Sequence, residues 1–236
     1  MMLYKTLRVL VLVIPVIILL VHVYREDRND NESILFMLKL FIYGIGACHI
    51  AYYAEMYGCK FLCEKWGWVE TTEGFKLVKT FVLVAFVEEF LKMFFLYIGT
   101  WKHKQFNYRF DAIIFAVSTS LGFALAENVI YVLNYGLKVG FARGITTVPM
   151  HAAVAIILGV NYGMAKECYK QGDKFGKAFL IFVGFMIAFL VHGIYDYCIV
   201  LGTKEAYITL GGLIVLMYVI AIVLVKRFAI EDKKIS

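Results

Sequence analysis

The chain has 236 residues, of which 62% are hydrophobic and 18% are charged, and its formal net charge is +6. A soluble domain is nearer to half apolar and one quarter charged, so this composition predicts an integral membrane protein without a second, soluble domain. The lysines and arginines stand at the ends of apolar runs, as at a lipid surface, which argues against nucleic acid as a partner.

Seven apolar runs predict an all-α, polytopic bundle of about seven transmembrane helices, because a helix needs about 20 apolar residues to span a bilayer. The predicted spans are 5–23, 33–58, 76–98, 111–134, 145–165, 178–201 and 206–226. The first run resembles a signal peptide. It is too long for one and has no small-residue cleavage site, so we predict that it is retained. Residues 1–236 are therefore interpreted as one integral membrane domain in the lipid bilayer.

The distribution of lysine and arginine predicts how the helices are oriented. The segments that follow the first, third, fifth and seventh spans are richer in these residues than the alternate segments; Arg25 and Arg28 belong to the first of them. Cytoplasmic segments carry the excess of positive charge in membrane proteins. The pattern predicts an outer N-terminus and a cytoplasmic C-terminus.

The third predicted span carries three ionisable side chains in its apolar middle, namely Glu88, Glu89 and Lys92. Each charge at mid-membrane costs about 2.5–3.5 kcal/mol on insertion scales, so such charges indicate a functional site. Lys92 is four residues after Glu88 and three after Glu89, so it can neutralise either glutamate. We interpret Glu88 as a catalytic base and Glu89 as the partner of Lys92, and the alternative is that their roles are exchanged.

Polar residues recur in the fourth, fifth and sixth spans: Glu127 with Asn128, then His151 after Pro149, then His192 with Asp196. At a rise of about 1.5 Å per residue, Glu88, Glu127, His151 and His192 lie about 18, 10, 10 and 14 Å from the same membrane face. These four spans are predicted to bring their polar side chains into one layer in the outer half of the bilayer.

Carboxylates beside imidazoles in apolar surroundings suit the activation of water by general acid–base catalysis. Asp196 can orient the ring of His192, or His192 can contribute to an oxyanion site. Glutamate and histidine also suit zinc, although the zinc-protease helix His-Glu-x-x-His is absent.

Each of these residues also has a purely structural interpretation. Glu127 with Asn128 alternatively positions water or only joins two helices through a hydrogen bond. His151 is alternatively an interface residue, and His192 with Asp196 a buried pair without catalysis. Phe123 and Tyr131 are interpreted as packing residues, and Glu55 in the second span as a residue of the membrane interface.

Taken in order, the motifs resemble those of the PrsW family of intramembrane proteases: Glu88-Glu89-x-x-Lys92, Phe123-x-x-x-Glu127-Asn128, His151 and His192-x-x-x-Asp196. That family belongs to the superfamily of CAAX prenyl proteases and bacteriocin-processing enzymes. The resemblance covers about residues 75–200, which we interpret as a four-helix catalytic core. The CAAX branch usually has histidine and asparagine where this chain has Glu127 and Asp196, which argues against prenylated substrates.

The resemblance implies a protease of the bacterial cell membrane. It implies site-1 cleavage of a single-pass anti-sigma factor on its outer side, which releases an extracytoplasmic-function sigma factor after further proteolysis. The family has been described both as metal-dependent and as glutamate-dependent. The protein therefore uses either no cofactor or zinc. The ligands of a zinc ion would come from Glu88, Glu127, His151 and His192.

We therefore interpret the chain as an intramembrane-type endopeptidase with Glu88, Glu89, Glu127, His151 and His192 as catalytic residues and Lys92, Asn128 and Asp196 in support. One alternative is a proton- or ion-coupled transporter, because carboxylate and histidine chains also form proton relays in membranes. Transporters usually contain internal repeats, and none is evident in this sequence. The other alternative is a non-catalytic scaffold of the same fold.

Overall fold

The computed structural model describes residues 2–27, 29 and 32–235, and the side chains of the first helix from Leu10 onward. Arg28, part of the first predicted break, lies outside the described residues. The helices are α1 (Met2–Glu26), α2 (Ile34–Trp66), α3 (Glu73–Val78), a π-helical segment (Lys79–Phe86), α4 (Val87–Thr100), α5 (Asp111–Tyr135), α6 (Leu137–Ile145), α7 (Thr147–Lys170), α8 (Lys174–Leu201) and α9 (Lys204–Ile230).

These helices match the seven predicted spans in order. The third span corresponds to α3, the π-helical segment and α4, which follow one another without a break, and the fifth corresponds to α7. Within the part of the chain that the structure describes, five helical stretches are long and apolar enough to cross a membrane: Ile34–Trp66, Asp111–Tyr135, Leu137–Lys170, Lys174–Leu201 and Lys204–Ile230. The all-α class and the polytopic membrane bundle are confirmed.

Two segments that the sequence predicts as connections are helical. The predicted break at 136–143 is mostly occupied by α6, which Gly136 separates from α5 with a positive φ of 86° that suits glycine. The second predicted span ends at 58, whereas α2 continues to Trp66 and is capped by Gly67 at φ 65°. Both helical stretches contain charged residues, so a hydropathy pattern, which detects apolar runs only, does not predict them.

The third predicted span is not a uniform α-helix. Residues Lys79–Phe86 have π-helical hydrogen bonding and end two residues before Glu88. The wider turn of a π-helix changes the register of side chains, and such segments occur frequently at functional sites. Because α4 begins at Val87, the spacing of Glu88, Glu89 and Lys92 on one helical face is retained.

The centre of the bundle is α5, whose first half is completely buried. A Cβ added at Gly122 of α5 would lie 2.0 Å from the Phe41 carbonyl oxygen, and one added at Gly44 of α2 would lie 1.9 Å from the Thr119 carbonyl oxygen. On the other side, a Cβ at Gly159 of α7 would lie 2.7 Å from the backbone of α5. Small residues let helix backbones approach closely in a membrane, so α5 is held between α2 and α7.

The C-terminal tail packs against the connection between α4 and α5. Ile235 donates its backbone N–H to the carbonyl of Asn107 at 2.7 Å, and Arg109 donates to the carbonyl of Lys233 at 3.1 Å. Ile235 is buried there. These bonds tie the end of the chain to the same face as the start of the central helix.

Candidate active site

Four elements bring the predicted site residues together inside the bundle. Glu88, Glu89 and Lys92 lie on α4, Glu127 on α5, His151 on α7 and His192 on α8. All except Glu127 are only 3–6% exposed, and Glu127 is half-buried. One potential ligand atom each of Glu89, His151 and His192 lie within 4.8 Å of one another, and the same holds for Glu88, Glu127 and His151. The predicted meeting of these side chains is therefore present in the structure.

Local sequence explains why the imidazole of His151 faces the site. Pro149 stands in the first turn of α7, where a missing backbone N–H interrupts no helical hydrogen bond. The helix can thus begin at Thr147 and bury His151 one turn later. Ser120 of α5 donates its hydroxyl to the His151 carbonyl at 3.0 Å, which joins the two helices at this level.

Lys92 is the central cation of the site. Its Nζ lies 2.6 Å from Glu89 Oε1 and 3.8 Å from Glu88 Oε2. The same ammonium lies 3.2 Å from Nδ1 of His151 and 4.5 Å from the ring centre of Phe123. An ammonium only donates, so Nδ1 of His151 accepts and Nε2 carries the proton. Phe123, interpreted from the sequence as a packing residue, also contributes its ring face to the cation.

His192 connects two carboxylates. Its Nδ1 lies 2.7 Å from Oε1 of Glu89, and its Nε2 lies 3.2 Å from Oδ2 of Asp196 one helical turn later. Oε2 of Glu88 lies 3.8 Å from Nε2. Contacts to a carboxylate from both ring nitrogens fix the orientation of the ring.

Glu127 is held at both oxygens. Its Oε2 lies 3.0 Å from Nε2 of His151, and its Oε1 lies 2.7 Å from Nη2 of Arg143. The Arg143 guanidinium lies over the ring of Tyr131 at 3.7 Å. Arg143 is absent from the sequence prediction because it was interpreted as part of a connection, where a cation is ordinary.

The contacts form one continuous network, which runs from Arg143 through Glu127, His151, Lys92, Glu89 and His192 to Asp196. Carboxylates alternate with cationic or imidazole groups along it. Such alternation offsets the large cost of placing charges in a medium of low dielectric constant. A cluster of this kind is stable inside a bilayer only when all of its helices are present.

Glu88 differs from the other carboxylates. Its Oε2 atom is buried and has no hydrogen-bond partner within residues 32–235. A buried polar atom without a partner in a native protein indicates a functional group or a place for water or an ion. Glu88 also lines a cavity of about 590 Å³ together with Glu127, Arg143 and Asp196. The volume is that of a ligand pocket, about 300–1,000 Å³.

A second residue that sequence reasoning placed elsewhere is Glu55. It was interpreted as an interface residue, but it lies on the face of α2 that lines the same cavity. Cys48, Ala51 and Tyr52 share that face. Ala51, Tyr52 and Glu55 follow Cys48 by three, four and seven residues. This spacing marks one side of a helix and could have identified the cavity wall from the sequence.

Asn128 is fully buried, and neither atom of its amide has a hydrogen-bond partner among the described residues. It does not line the cavity, although Glu127 next to it does. The positioning of water by Asn128 stays a prediction.

The donor set around Glu88 fits a divalent cation better than the set around Glu89. Zinc is bound by imidazole nitrogen and carboxylate oxygen, and the unpartnered Oε2 of Glu88 stands with Glu127 and His151 in such a set. Lys92 bonds both Glu89 and His151 of the alternative set, whereas in the Glu88 set it bonds only His151 and lies 3.8 Å from Glu88. The residues present therefore fit a metal at Glu88, Glu127 and His151, which would take the place of the proton on Nε2 of His151.

Comparison with known proteins identifies the family of the chain. Residues 32–225 match the family model of the PrsW family intramembrane metalloproteases. The chain is 32% identical over 215 residues to Protease PrsW of Halalkalibacterium halodurans, which covers 90% of this chain and 92% of that protein. It is 29% identical over 204 residues to Protease PrsW of Bacillus subtilis, covering 86% and 88% of the two chains.

A third relative, Protease PrsW of Clostridioides difficile, is 28% identical over 232 residues, which is 96% of this chain and 93% of that protein. No solved structure matches the chain. The family model spans both the third to sixth predicted helices and the α2 wall of the cavity. The chain belongs to the PrsW family of intramembrane metalloproteases and is a membrane-embedded protease.

Proposed function

We propose that this protease hydrolyses a peptide bond in a single-pass membrane protein, with Glu88 as the base that activates water. The observation that carries the proposal is the buried Oε2 of Glu88, which has no hydrogen-bond partner among the described residues and belongs to a side chain that lines the cavity. Glu89 does not offer such an atom to the cavity, since Lys92 and His192 contact its Oε1. The catalytic set is Glu88, Glu89, Glu127, His151 and His192, supported by Lys92, Asn128 and Asp196.

The proposed reaction needs two proton transfers. A water molecule in the cavity gives a proton to Glu88, and its oxygen forms a bond with the carbonyl carbon of the substrate. The C–N bond then breaks, and the leaving amine receives a proton from the same carboxyl group or from His192, which lies 3.8 Å from Glu88. Asp196 holds the imidazole of His192 in place for this transfer.

The alternative to this metal-free mechanism is a metal-dependent one, and zinc is the metal that we propose for it. Glu88, Glu127 and His151 would hold it, with His192 next to Glu88. A bound zinc supplies Lewis acidity and lowers the pKa of a coordinated water. With Glu88 among the ligands, Glu89 is the carboxylate left for proton transfer, which is the exchanged assignment of the two glutamates.

The substrate that we propose is an anti-sigma factor, cleaved at site 1 on its outer side. The cavity is lined by Glu55 in the second half of α2, by Asn134 and Tyr135 at the end of α5, and by Val200 at the end of α8. The lysine and arginine distribution predicts that these helix ends face outward, with the N-terminus outside and the C-terminus in the bacterial cytoplasm. Residues 75–200 form the proposed catalytic core.

Co-expression with a tagged single-pass anti-sigma factor from the same organism tests the proposal. We expect a shortened fragment with the wild-type protein and none with Glu88→Gln or Glu89→Gln. Loss of one general base typically lowers the reaction rate by about 10²–10⁴-fold. A decrease of that size in the cleavage rate brings the fragment below detection by immunoblot. Glu64→Gln is the matched control, because Glu64 pairs with Lys60 on the exposed end of α2.

Cleavage that survives both substitutions, in protein shown to be inserted, contradicts the proposed base. An intact anti-sigma factor beside cleavage of a different single-pass protein contradicts the substrate assignment alone. The zinc content of the same purified samples tests whether the protein binds zinc. We expect zinc in the wild type and less zinc in Glu127→Gln.

A further inference from the structure

Arg143 contacts the proposed site from α6, a helix that is not one of the four spans predicted to carry the site residues. Its Nη2 lies 2.7 Å from Oε1 of Glu127, and Oε2 of the same carboxylate lies 3.0 Å from His151. The two contacts together fix the plane of the Glu127 carboxylate. Oε2 is the oxygen that contacts α7, and Oε1 is the one that contacts Arg143.

Arg143 is itself held in place. Its side chain is 12% exposed, and its guanidinium lies 3.7 Å from the ring centre of Tyr131. Its Nε is buried and has no hydrogen-bond partner in the described part of the chain. The guanidinium therefore has two defined contacts, one with a carboxylate and one with an aromatic face, and it lines the cavity.

The short helix that carries Arg143 is anchored on three sides. Tyr218 of α9 donates its hydroxyl to the Ile145 carbonyl at 2.8 Å. A Cβ added at Gly140 would lie 2.2 Å from Val132 of α5, and one added at Gly144 would lie 3.3 Å from Pro15 of α1. This packing holds α6 against α1, α5 and α9 and places Arg143 beside Glu127.

We propose that Arg143 is a positioning residue that holds Glu127 with one oxygen toward the catalytic cavity. The inference rests on the proposed function. A free carboxylate can rotate or bind an ion through both oxygens, whereas a carboxylate paired with a guanidinium at one oxygen offers only the other. Partners that orient a ligand in this way typically matter about 10–100-fold for metal affinity or activity.

The ion pair between Arg109 and Glu167 provides a matched control. It joins the connection before α5 to the end of α7 through the same two residue types, with side chains 22% exposed, and it does not line the cavity. If the removal of any arginine–glutamate pair lowered kcat and zinc affinity, the substitution at Arg109 would lower them too. If both decrease because Glu127 is no longer positioned, only the substitution at Arg143 lowers them.

The experiment compares the purified wild type with Arg143→Gln, Arg143→Lys and Arg109→Gln. It measures kcat and KM on the cleaved substrate, and zinc affinity by competition with a chromogenic chelator, with zinc alone as the probe. We expect Arg143→Gln to lower kcat about 10–100-fold with little change in KM, and to weaken zinc binding by a similar factor. Arg143→Lys recovers part of both losses, because it keeps the charge but not the planar fork of donors. Arg109→Gln stays near the wild type in both.

Two variants at Tyr131 test the same point without removing the ion pair. Tyr131→Phe keeps the ring under the guanidinium and is expected to behave as the wild type. Tyr131→Leu releases the guanidinium and is expected to lower kcat in the same direction as Arg143→Gln, by a smaller factor. These variants keep the inference testable if Arg143→Gln does not fold.

The inference is overturned if Arg143→Gln keeps the kcat and the zinc affinity of the wild type, or if Arg109→Gln loses as much of both. A wild-type protein that neither cleaves substrate nor binds zinc shows a different failure, that of the proposed function. An active wild type with an unchanged Arg143→Gln variant leaves the proposed function intact and removes the inference alone.

Discussion

Lys92 is the single residue on which the electrostatics of the site depend. It contacts Glu89 and His151 directly and lies 3.8 Å from Glu88, and all four side chains are buried. Without the ammonium, the carboxylate of Glu89 would keep only the contact with Nδ1 of His192 among the ion pairs of the described residues. Lys92 thus serves both the folding of the bundle and the chemistry of the cavity.

We expect Lys92→Met to destabilise the protein by about 3–5 kcal/mol, because it leaves the buried Glu89 charge without its cation. The double variant Lys92→Met/Glu89→Gln removes both members of the pair and is expected to recover most of this stability but no cleavage. Thermal unfolding in detergent and cleavage of substrate are the measurements. A double variant as unstable as the single one would show that the pair is not the cause.

The charged residues of the site could be predicted from the sequence because each interrupts an apolar run. Glu88, Glu89 and Lys92 are conspicuous for this reason, as is His192. Arg143 could not be predicted in the same way, since it stands near a helix end, where lysine and arginine are common in any membrane protein. The sequence shows which charged residues lie within apolar runs. It does not show which charged residues at helix ends contact them in the folded protein.

Among the helices, α5 contributes most to the assembly through two glycine contacts with α2. The Cβ that any other residue would place at Gly122 meets the Phe41 carbonyl oxygen at 2.0 Å, an atom of the backbone that cannot move away as a side chain can. The same face of the helix pair includes Gly44. Close backbone approach is therefore a requirement of this helix pair.

We expect Gly122→Ala to destabilise the protein by about 1–3 kcal/mol through overpacking between α2 and α5. Gly211→Ala in α9 is the matched control, because a Cβ there meets no atom within 4 Å. Alanine is about 0.5–1 kcal/mol more favourable than glycine inside a helix, so this control should be neutral or stabilising. Equal melting temperatures for the two variants would contradict the close contact at Gly122.

The limits of the elements were harder to predict than their existence. Leu137–Ile145 contains two glycines, a lysine and an arginine in nine residues, so it resembles a connection although it is helical. Lys79–Phe86 is as apolar as its neighbours, so hydropathy cannot distinguish its π-helical bonding from an α-helix. Both segments depend on tertiary contacts that a local pattern does not contain.

For the molecule as a whole, the number and order of the helices followed from hydropathy, whereas their arrangement did not. The periodicity of α5 and α7 does not indicate that these two helices occupy the middle; their burial along most of their length became visible only in the structure. The orientation of the bundle in the membrane stays a prediction. It has a direct test in the native cysteines.

Cys63 lies near the C-terminal end of α2, and Cys168 lies near the C-terminal end of α7. The positive-inside rule predicts that these ends lie on opposite sides, with Cys63 outside and Cys168 in the cytoplasm. In single-cysteine variants, we expect a membrane-impermeant maleimide to label Cys63 in intact spheroplasts, and Cys168 only after permeabilisation. The reverse labelling would invert the proposed orientation and place the cavity at the cytoplasmic face.

The charge network also has a consequence for how the protein is made. The helix that carries Glu88, Glu89 and Lys92 is synthesised before His151 and His192, which complete its contacts. Three charges at about 2.5–3.5 kcal/mol each oppose its entry into lipid as an isolated segment. Stable integration of the first half of the chain must therefore await the second half, so that a truncated nascent protein would expose an unstable segment to the cell's quality-control machinery.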